Sequence, residues 1–331
     1  MVWLKFAACV VIIFLAGRSV ARYADTIAER TGLGRAWIGV VLVAAVTSLP
    51  ELFTGISAVT LVGKPALTLG NLLGANTFNL LNLALLDITY RRGTIFQGIS
   101  LSHRVTARYS LVLLMVIVFF IVFSRWVHPL RVGPIGLYTP LILLLYFVFV
   151  RRIFQRERLN SPQVSSIRPL EAQAVSIRHV YARFIFSALV VIGGGIWLAI
   201  IGDEVAHVTG WGESFVGSLF LALTTTLPEI TVSFAALRLG AVDLAVANMI
   251  GSNLFNLTVI SVDDAFYAGG PILAYASFAN LLTAAVVITM TLVLLAGLRW
   301  PPRKSRGLSW LNCVLVLLFL TGAYLSYAPP L

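Results

Sequence analysis

Hydrophobic residues in this chain come in long unbroken blocks, without the alternation of strands. Two of them, GVVLVAAVTSLPELFTGISAVTLVG and GSLFLALTTTLPEITVSFAAL, are each interrupted by a hydroxyl–Leu-Pro-Glu insertion. A helix that is apolar all round is either a core helix or a membrane span, and about 20 such residues cross a bilayer. The blocks fall at about 2–20, 36–62, 65–89, 105–124, 132–151, 182–202, 212–238, 241–266, 270–298 and 308–328. A membrane barrel would show alternating segments of about ten residues. The pattern predicts an all-α polytopic membrane protein with ten transmembrane helices.

Composition agrees. Of the 331 residues 59% are hydrophobic and 11% charged, where soluble domains carry about 25% charged residues; the mean hydropathy is +0.94. A net charge of +11 would suggest nucleic acid in a soluble chain. Here it sets orientation, and no nucleic-acid partner is expected. With the N-terminus outside, 20 of the 24 Lys and Arg fall in inner loops, leaving Lys5, Lys64, Arg125 and Arg131 outside. That bias predicts a multi-pass protein of the cell (inner) membrane with both termini outside. The basic, Ser-rich stretch 152–181 then becomes a cytoplasmic linker.

The two interrupted blocks are copies of one unit. At an offset of 178, Gly39 meets Gly217, Thr47 meets Thr225, Ser48 meets Thr226, Pro50 meets Pro228 and Glu51 meets Glu229. At 177, GNLLGANTFN (70–79) meets ANMIGSNLFN (247–256). FAACVVIIFLAGRSV also lies opposite FIFSALVVIGGGIWL. The first block is therefore expected to be a retained span, although Lys5 and the apolar run after it would suit a signal peptide. The chain divides into 1–151 (motif 39–79), the linker 152–181, and 182–331 (motif 217–256). Five spans per copy is an odd number, so the second copy is inverted. Transporters built this way place their site near the midplane, between the copies.

Glu51 and Glu229 sit about halfway along their spans, where a charge costs at least about 2.5–3.5 kcal/mol without a partner. Pro50 and Pro228 withhold an N–H from the carbonyls of Val46 and Thr224. The resulting kinks are expected to leave the carbonyls of Ala44, Thr47, Ala222 and Thr225 without donors as well. Asn71, Ala75 and Asn79 share one helix face, as do Asn248, Ser252 and Asn256. The sum is a cage of carboxylates, hydroxyls, amides and carbonyls, an all-oxygen set that suits Ca2+ or Na+. Two carboxylates balance one divalent ion, and equally accept monovalent ions or protons in its place.

These motifs resemble the two alpha-repeats of the cation/calcium (sodium/calcium) exchanger superfamily, closest to its prokaryotic sodium/calcium exchanger branch. The resemblance implies that Ca2+ is held by Glu51, Glu229 and the carbonyls of Thr47 and Thr225. It implies sodium- or proton-coupling roles for Ser48, Thr226, Asn79, Asn256, Ser252, and the carbonyls of Ala44 and Ala222. Pro50 and Pro228 would break the helices, and the first and sixth spans would slide over a fixed core. The chain departs from the family pattern at Val46 and Thr224, where Gly is common, at Ala75, where Ser is common, and at Asn256, where some members have Asp.

The expected function is secondary active antiport, Na+/Ca2+ exchange by alternating access, in a lipid bilayer, by a monomer without a cofactor. The alternative is H+/Ca2+ or other cation antiport, since a Glu carries a proton as readily as it ligates a metal. A remoter alternative is a membrane-embedded lipid-phosphate enzyme using Asp263, Asp264 and the basic linker; a passive channel fits an inverted repeat poorly. Asp263-Asp264 otherwise reads as a solvated helix end, Asp87 as a surface partner of Arg91 and Arg92, and the four His (103, 128, 179, 207) as surface residues. Cys9 and Cys313, in apolar blocks, have no metal-ligand spacing.

Overall fold

The computed structural model describes residues 2–126, 131–133, 135–160, 176–209, 221–302 and 308–327. It is a helical bundle. Helix α1 runs Val2–Thr31, and the second apolar block breaks into α2 (Arg35–Ile38), a π-helical turn (Gly39–Val43), α3 (Ala44–Thr47) and α4 (Leu49–Thr60). Then come α5 (Pro65–Thr89), α6 (Ser102–Phe123), α7 (Tyr138–Asn160) and α8 (Ile177–Thr209). The seventh block gives α9 (Leu221–Thr225) and α10 (Leu227–Arg238), followed by α11 (Val242–Phe266), α12 (Phe278–Arg299) and α13 (Trp310–Tyr327). A two-residue antiparallel pairing, Arg131–Val132 with Ile135–Gly136, precedes α7, so the fifth helix starts six residues later than the sequence suggests.

Among the described residues, seven helices are long and apolar enough to cross a membrane, and the bent pair Arg35–Thr47 with Leu49–Thr60 makes an eighth. Trp310–Leu325 is a shorter apolar helix. α9 and α10 follow residues 210–220, outside the described set, and Gly217 of the second motif lies there too. Residues 161–175, half of the linker and including Arg168, are also outside the described set, as are Arg303, Lys304 and Arg306.

The sequence explains which helices are enclosed. α5 and α11 carry Asn71, Asn76, Asn79, Asn82, Asn248, Asn253 and Asn256, all buried. Such side chains are costly in lipid, so these two helices pack against each other inside the bundle, with α4, α6, α12 and α13 against α5 or α11. The outer helices turn Leu15, Phe119, Phe147, Phe186, Leu189 and Leu317 outward, as lipid-facing surfaces do. α1 and α8 pack along each other and lie against α10 and α4. At 30 and 33 residues they are about 45–50 Å long, well beyond the 2–20 and 182–202 expected for them. Lys5 and Glu204 pair at 2.9 Å where the start of α1 meets the end of α8.

The acidic helix ends are buried, against the solvated reading. Asp264 accepts from Gly136 N (2.8 Å), Thr139 Oγ1 (2.6 Å), Ile272 N (2.8 Å) and the Tyr138 hydroxyl. Asp87 accepts from Ile95 N (2.7 Å) and Asn312 Nδ2 (2.8 Å). Each carboxylate ties down the loop after a 25-residue helix through an N–H eight residues on, because those loop amides have no helix to satisfy them. His103 is also buried, its Nε2 2.7 Å from Asp243 Oδ1. His179 is exposed as expected; His128 and the His207 side chain lie outside the described set.

Candidate functional site

Both helix breaks fall at the hydroxyl residue before Leu-Pro-Glu. Ser48 has φ −92°, ψ 6° and Thr226 has φ −79°, ψ −7°. Each proline then occupies the first turn of the next helix, where its missing N–H costs nothing. The first break bends the span by 42°. The backbone bonds across the breaks are Ser48 N to Ala44 O (3.0 Å) with Leu52 N to Ser48 O (3.3 Å), and Thr226 N to Ala222 O (3.1 Å) with Ile230 N to Thr226 O (3.1 Å). This corrects one expectation: the carbonyls of Ala44 and Ala222 do have donors. Those of Val46, Thr47, Thr224 and Thr225 take no part in the bridging bonds.

Two glycines let the first break approach α11. A methyl on Gly39 would lie 2.4 Å from Ala247 Cβ, and one on Gly251 would lie 2.6 Å from Val40 Cα. With backbones in contact, Glu51, Glu229, Thr47, Ser48, Thr225, Thr226, Asn79, Asn256, Ser252, Ala44 and Ala222 are all fully buried, and Pro50 and Pro228 are buried beside them.

Bonds run between the copies. Ser48 Oγ donates to Glu229 Oε1 at 2.7 Å, and Ser252 Oγ reaches the same atom at 3.4 Å. Thr47 Oγ1 lies 3.2 Å from Asn248 Oδ1, and Thr225 Oγ1 lies 3.4 Å from Asn71 Oδ1. Asn76 Nδ2 donates to Asn253 O (3.4 Å) while Asn253 Nδ2 donates to Asn76 O (3.3 Å). Exchanged bonds between equivalent residues are what a two-fold axis through this crossing would produce.

The carboxylates are unequally served. Neither oxygen of Glu51 has a hydrogen-bond partner, nor does Glu229 Oε2. By the repeat, the partners of Glu51 would be Thr226 and residue 75. Thr226 turns its hydroxyl back to Ala222 O at 2.5 Å, and residue 75 is Ala. Both polar atoms of Asn79 and Oδ1 of Asn256 are also without partners. Buried polar groups are normally satisfied, so the orphaned oxygens among these atoms leave acceptor capacity that a cation would complete. Among the described residues no three or more His, Cys, Asp or Glu converge as metal ligands. The set is two carboxylates with neutral oxygens, which suits a hard cation and not zinc.

A family model described as sodium/calcium exchanger protein matches residues 1–154 and 179–328. The chain belongs to the sodium/calcium exchanger family. The exchanger is 25% identical over 324 residues, 96% of its length and 92% of the relative's, to the inner membrane protein YrbG of Escherichia coli. It is 24% identical, with 92% of each chain covered, to the putative antiporter CaxA of Alkalimonas amylolytica. It is 30% identical over 105 residues, 31% of its own length and 29% of the relative's, to the sodium/calcium exchanger MaX1 of Methanosarcina acetivorans. A solved structure of the sodium-calcium exchanger NCX_Mj, soaked with Na+ and Sr2+, shares its fold at TM-score 0.72, with 20% identity over 99% of this chain and 100% of that one. This is a multi-pass membrane transporter of the cation/calcium exchange type, not an enzyme; the lipid-phosphate alternative is set aside.

What the sequence reading missed is the role of Asp87, Asp264 and His103. The signal was there for the first two: at offset 177 Asp87 meets Asp264 and Ile95 meets Ile272, a donor–acceptor pair repeated in both copies.

Proposed function

We propose that this exchanger is a Na+/Ca2+ antiporter working by alternating access, with Ca2+ bound between Glu51 and Glu229. The observation that carries the reading is the pair of fully buried carboxylates, Glu229 bonded by the Ser48 that begins the helix of Glu51, with three of their four oxygens unpartnered. Thr47 and Thr225 add carbonyls from the breaks. Ser48, Thr226, Ser252, Asn79, Asn256, Ala44 and Ala222 supply oxygens for the counter-ion. The carbonyls of Ala44 and Ala222 already accept a backbone N–H and at least one threonine hydroxyl each, so a counter-ion would take the place of those hydroxyls.

Alternating access needs an element with two positions. Gly195 of α8 lies against the prolines: a methyl there would be 2.3 Å from Pro50 Cγ and 3.4 Å from Pro228 Cγ. Its repeat partner, Gly17 of α1, lies against Thr231 and Val232 instead, about one turn along α10. Related helices in unequal positions fit one state of an inverted-repeat transporter, the other being reached when α1 and α8 slide. The repeat units are 1–151 and 182–331, joined by the cytoplasmic linker 152–181, in a monomer of the inner membrane with both termini outside.

H+/Ca2+ antiport is the second reading. Glu51 lacks the hydroxyl that Ser252 gives Glu229, so one sodium ligand set is short of an oxygen, and a proton needs none. Calcium-45 uptake into proteoliposomes under separately imposed Na+ and pH gradients distinguishes them. Uptake driven by neither gradient would end both readings.

A further inference from the structure

Asp263 is a buried carboxylate that the site above does not use. It is fully buried in α11, and neither oxygen has a hydrogen-bond partner. Its neighbour Asp264 takes all the loop donors described above. The opposing helix leaves a place for it: a methyl on Gly55 would lie 2.2 Å from Asp263 Oδ2 and 2.9 Å from Oδ1. Gly55 stands one helical turn beyond Glu51 in α4, about 6 Å along the axis. Asp263 is seven residues beyond Asn256 in α11, about 10 Å on the same face. Both lie toward the face expected to be outside.

The arrangement is one-sided. The repeat partners of Asp263 and Gly55 are Leu86 and Ser233, and Ser233 is held by Asn248 Nδ2 at 2.9 Å. The other half thus has neither the acid nor the gap. A role in packing the repeat would be expected in both copies. An ionisable group enclosed in a membrane protein without a partner points to an ion or proton route.

We propose that Asp263, seated against Gly55, is an accessory site for one monovalent cation, Na+ or a proton, on the route between the Glu51–Glu229 centre and the outer face. The charge count sets the valence: one carboxylate balances one positive charge, and among the described residues no Lys, Arg or His pairs with it. Its two oxygens are far from the six to eight that Ca2+ takes. The Thr68 hydroxyl of α5 donates to the Gly55 carbonyl at 3.2 Å, beside this turn of α4.

The inference rests on the central site, so the experiment separates the two. Equilibrium calcium-45 binding in detergent reports the centre: it should vanish in Glu51→Gln and persist in Asp263→Asn. If Glu51→Gln still binds, the central reading fails while the next measurement stands. In proteoliposomes, Asp263→Asn should raise the outer-side Na+ half-saturation at least threefold if Na+ is the ion, or flatten the outer-side pH dependence if it is a proton. Gly55→Ala, which pushes a methyl into the carboxylate, should move the same quantity in the same direction. If Asp263→Asn loses central binding as well, Asp263→Glu, which keeps the charge and changes its position, takes its place in the flux assay. Wild-type Na+ and pH dependence in these variants, with central binding intact, overturns the proposal.

Discussion

The hydroxyl that Glu51 lacks decides more at the residue scale than the carboxylate itself. Glu229 holds two hydroxyls through one oxygen, and Glu51 holds none, because the position equivalent to Ser252 is Ala75 and Thr226 bonds its own helix. Ala75→Ser should restore a donor and a ligand oxygen there. The expected outcome is a lower Na+ half-saturation for Ca2+ uptake, by about two- to tenfold, which is about 0.4–1.4 kcal/mol, with little change in Ca2+ binding. Glu51→Gln and Glu229→Gln should each abolish Ca2+ flux while the protein still elutes as a folded species. An amide keeps the shape, but leaves one charge where the divalent ion needs two. The pairing of these residues was legible from two matched pentapeptides alone. Their inequality was only half legible: Ala75 showed a missing oxygen, whereas the turn of Thr226 toward Ala222 is a rotamer choice that no spacing reveals.

Elements show a similar division between what pattern carries and what packing adds. Length and apolarity located α5 (Pro65–Thr89) and α11 (Val242–Phe266) within a residue, because lipid demands an unbroken helix of fixed length. The ends of α1 and α8 were not legible. Arg18, Arg22 and Arg30 looked like loop residues, yet the helix carries them past the apolar block, where packing on α8 continues through Ala21, Ala24 and Ala28. The prolines marked the breaks, but the Gly195 contact with both of them needed the fold. Gly195→Val should therefore stop exchange while leaving equilibrium calcium-45 binding within about threefold of wild type, since it wedges α8 against Pro50 without touching the carboxylates. Equal loss of binding and flux would show that the glycine serves the site itself. Asp264→Asn tests the loop staple: an amide puts a donor where four donors already point. Hydrogen bonds to a charged group contribute about 1.5–3 kcal/mol each, so a clear fall in thermal stability on heating and size-exclusion is expected, with the ion dependence of any remaining flux unchanged.

For the whole molecule, charge placement and geometry give one frame. Lys5 at the start of α1 meets Glu204 at the end of α8. Near the opposite ends, Arg35 pairs with Asp25 and with Glu29 (2.8 Å), Glu157 of α7 accepts from Ser100 at 3.0 Å, and Asp243 of α11 accepts from Ser100 N at 2.8 Å and sits 2.7 Å from His103. The polar network therefore gathers at the end where the basic loops cluster. By the excess of 20 basic residues against 4, that end is the one proposed to face the cytoplasm. The assignment is testable with single cysteines in a background lacking Cys9 and Cys313. A cysteine at Lys64 should react with an impermeant maleimide added to intact cells, and one at Arg92 should react only after the membrane is opened. The reverse pattern would invert the molecule. Asp263 would then stand on the cytoplasmic route and the sense of driven Ca2+ movement across the two faces would exchange, while the central chemistry of Glu51 and Glu229, lying between the copies, would stay as it is.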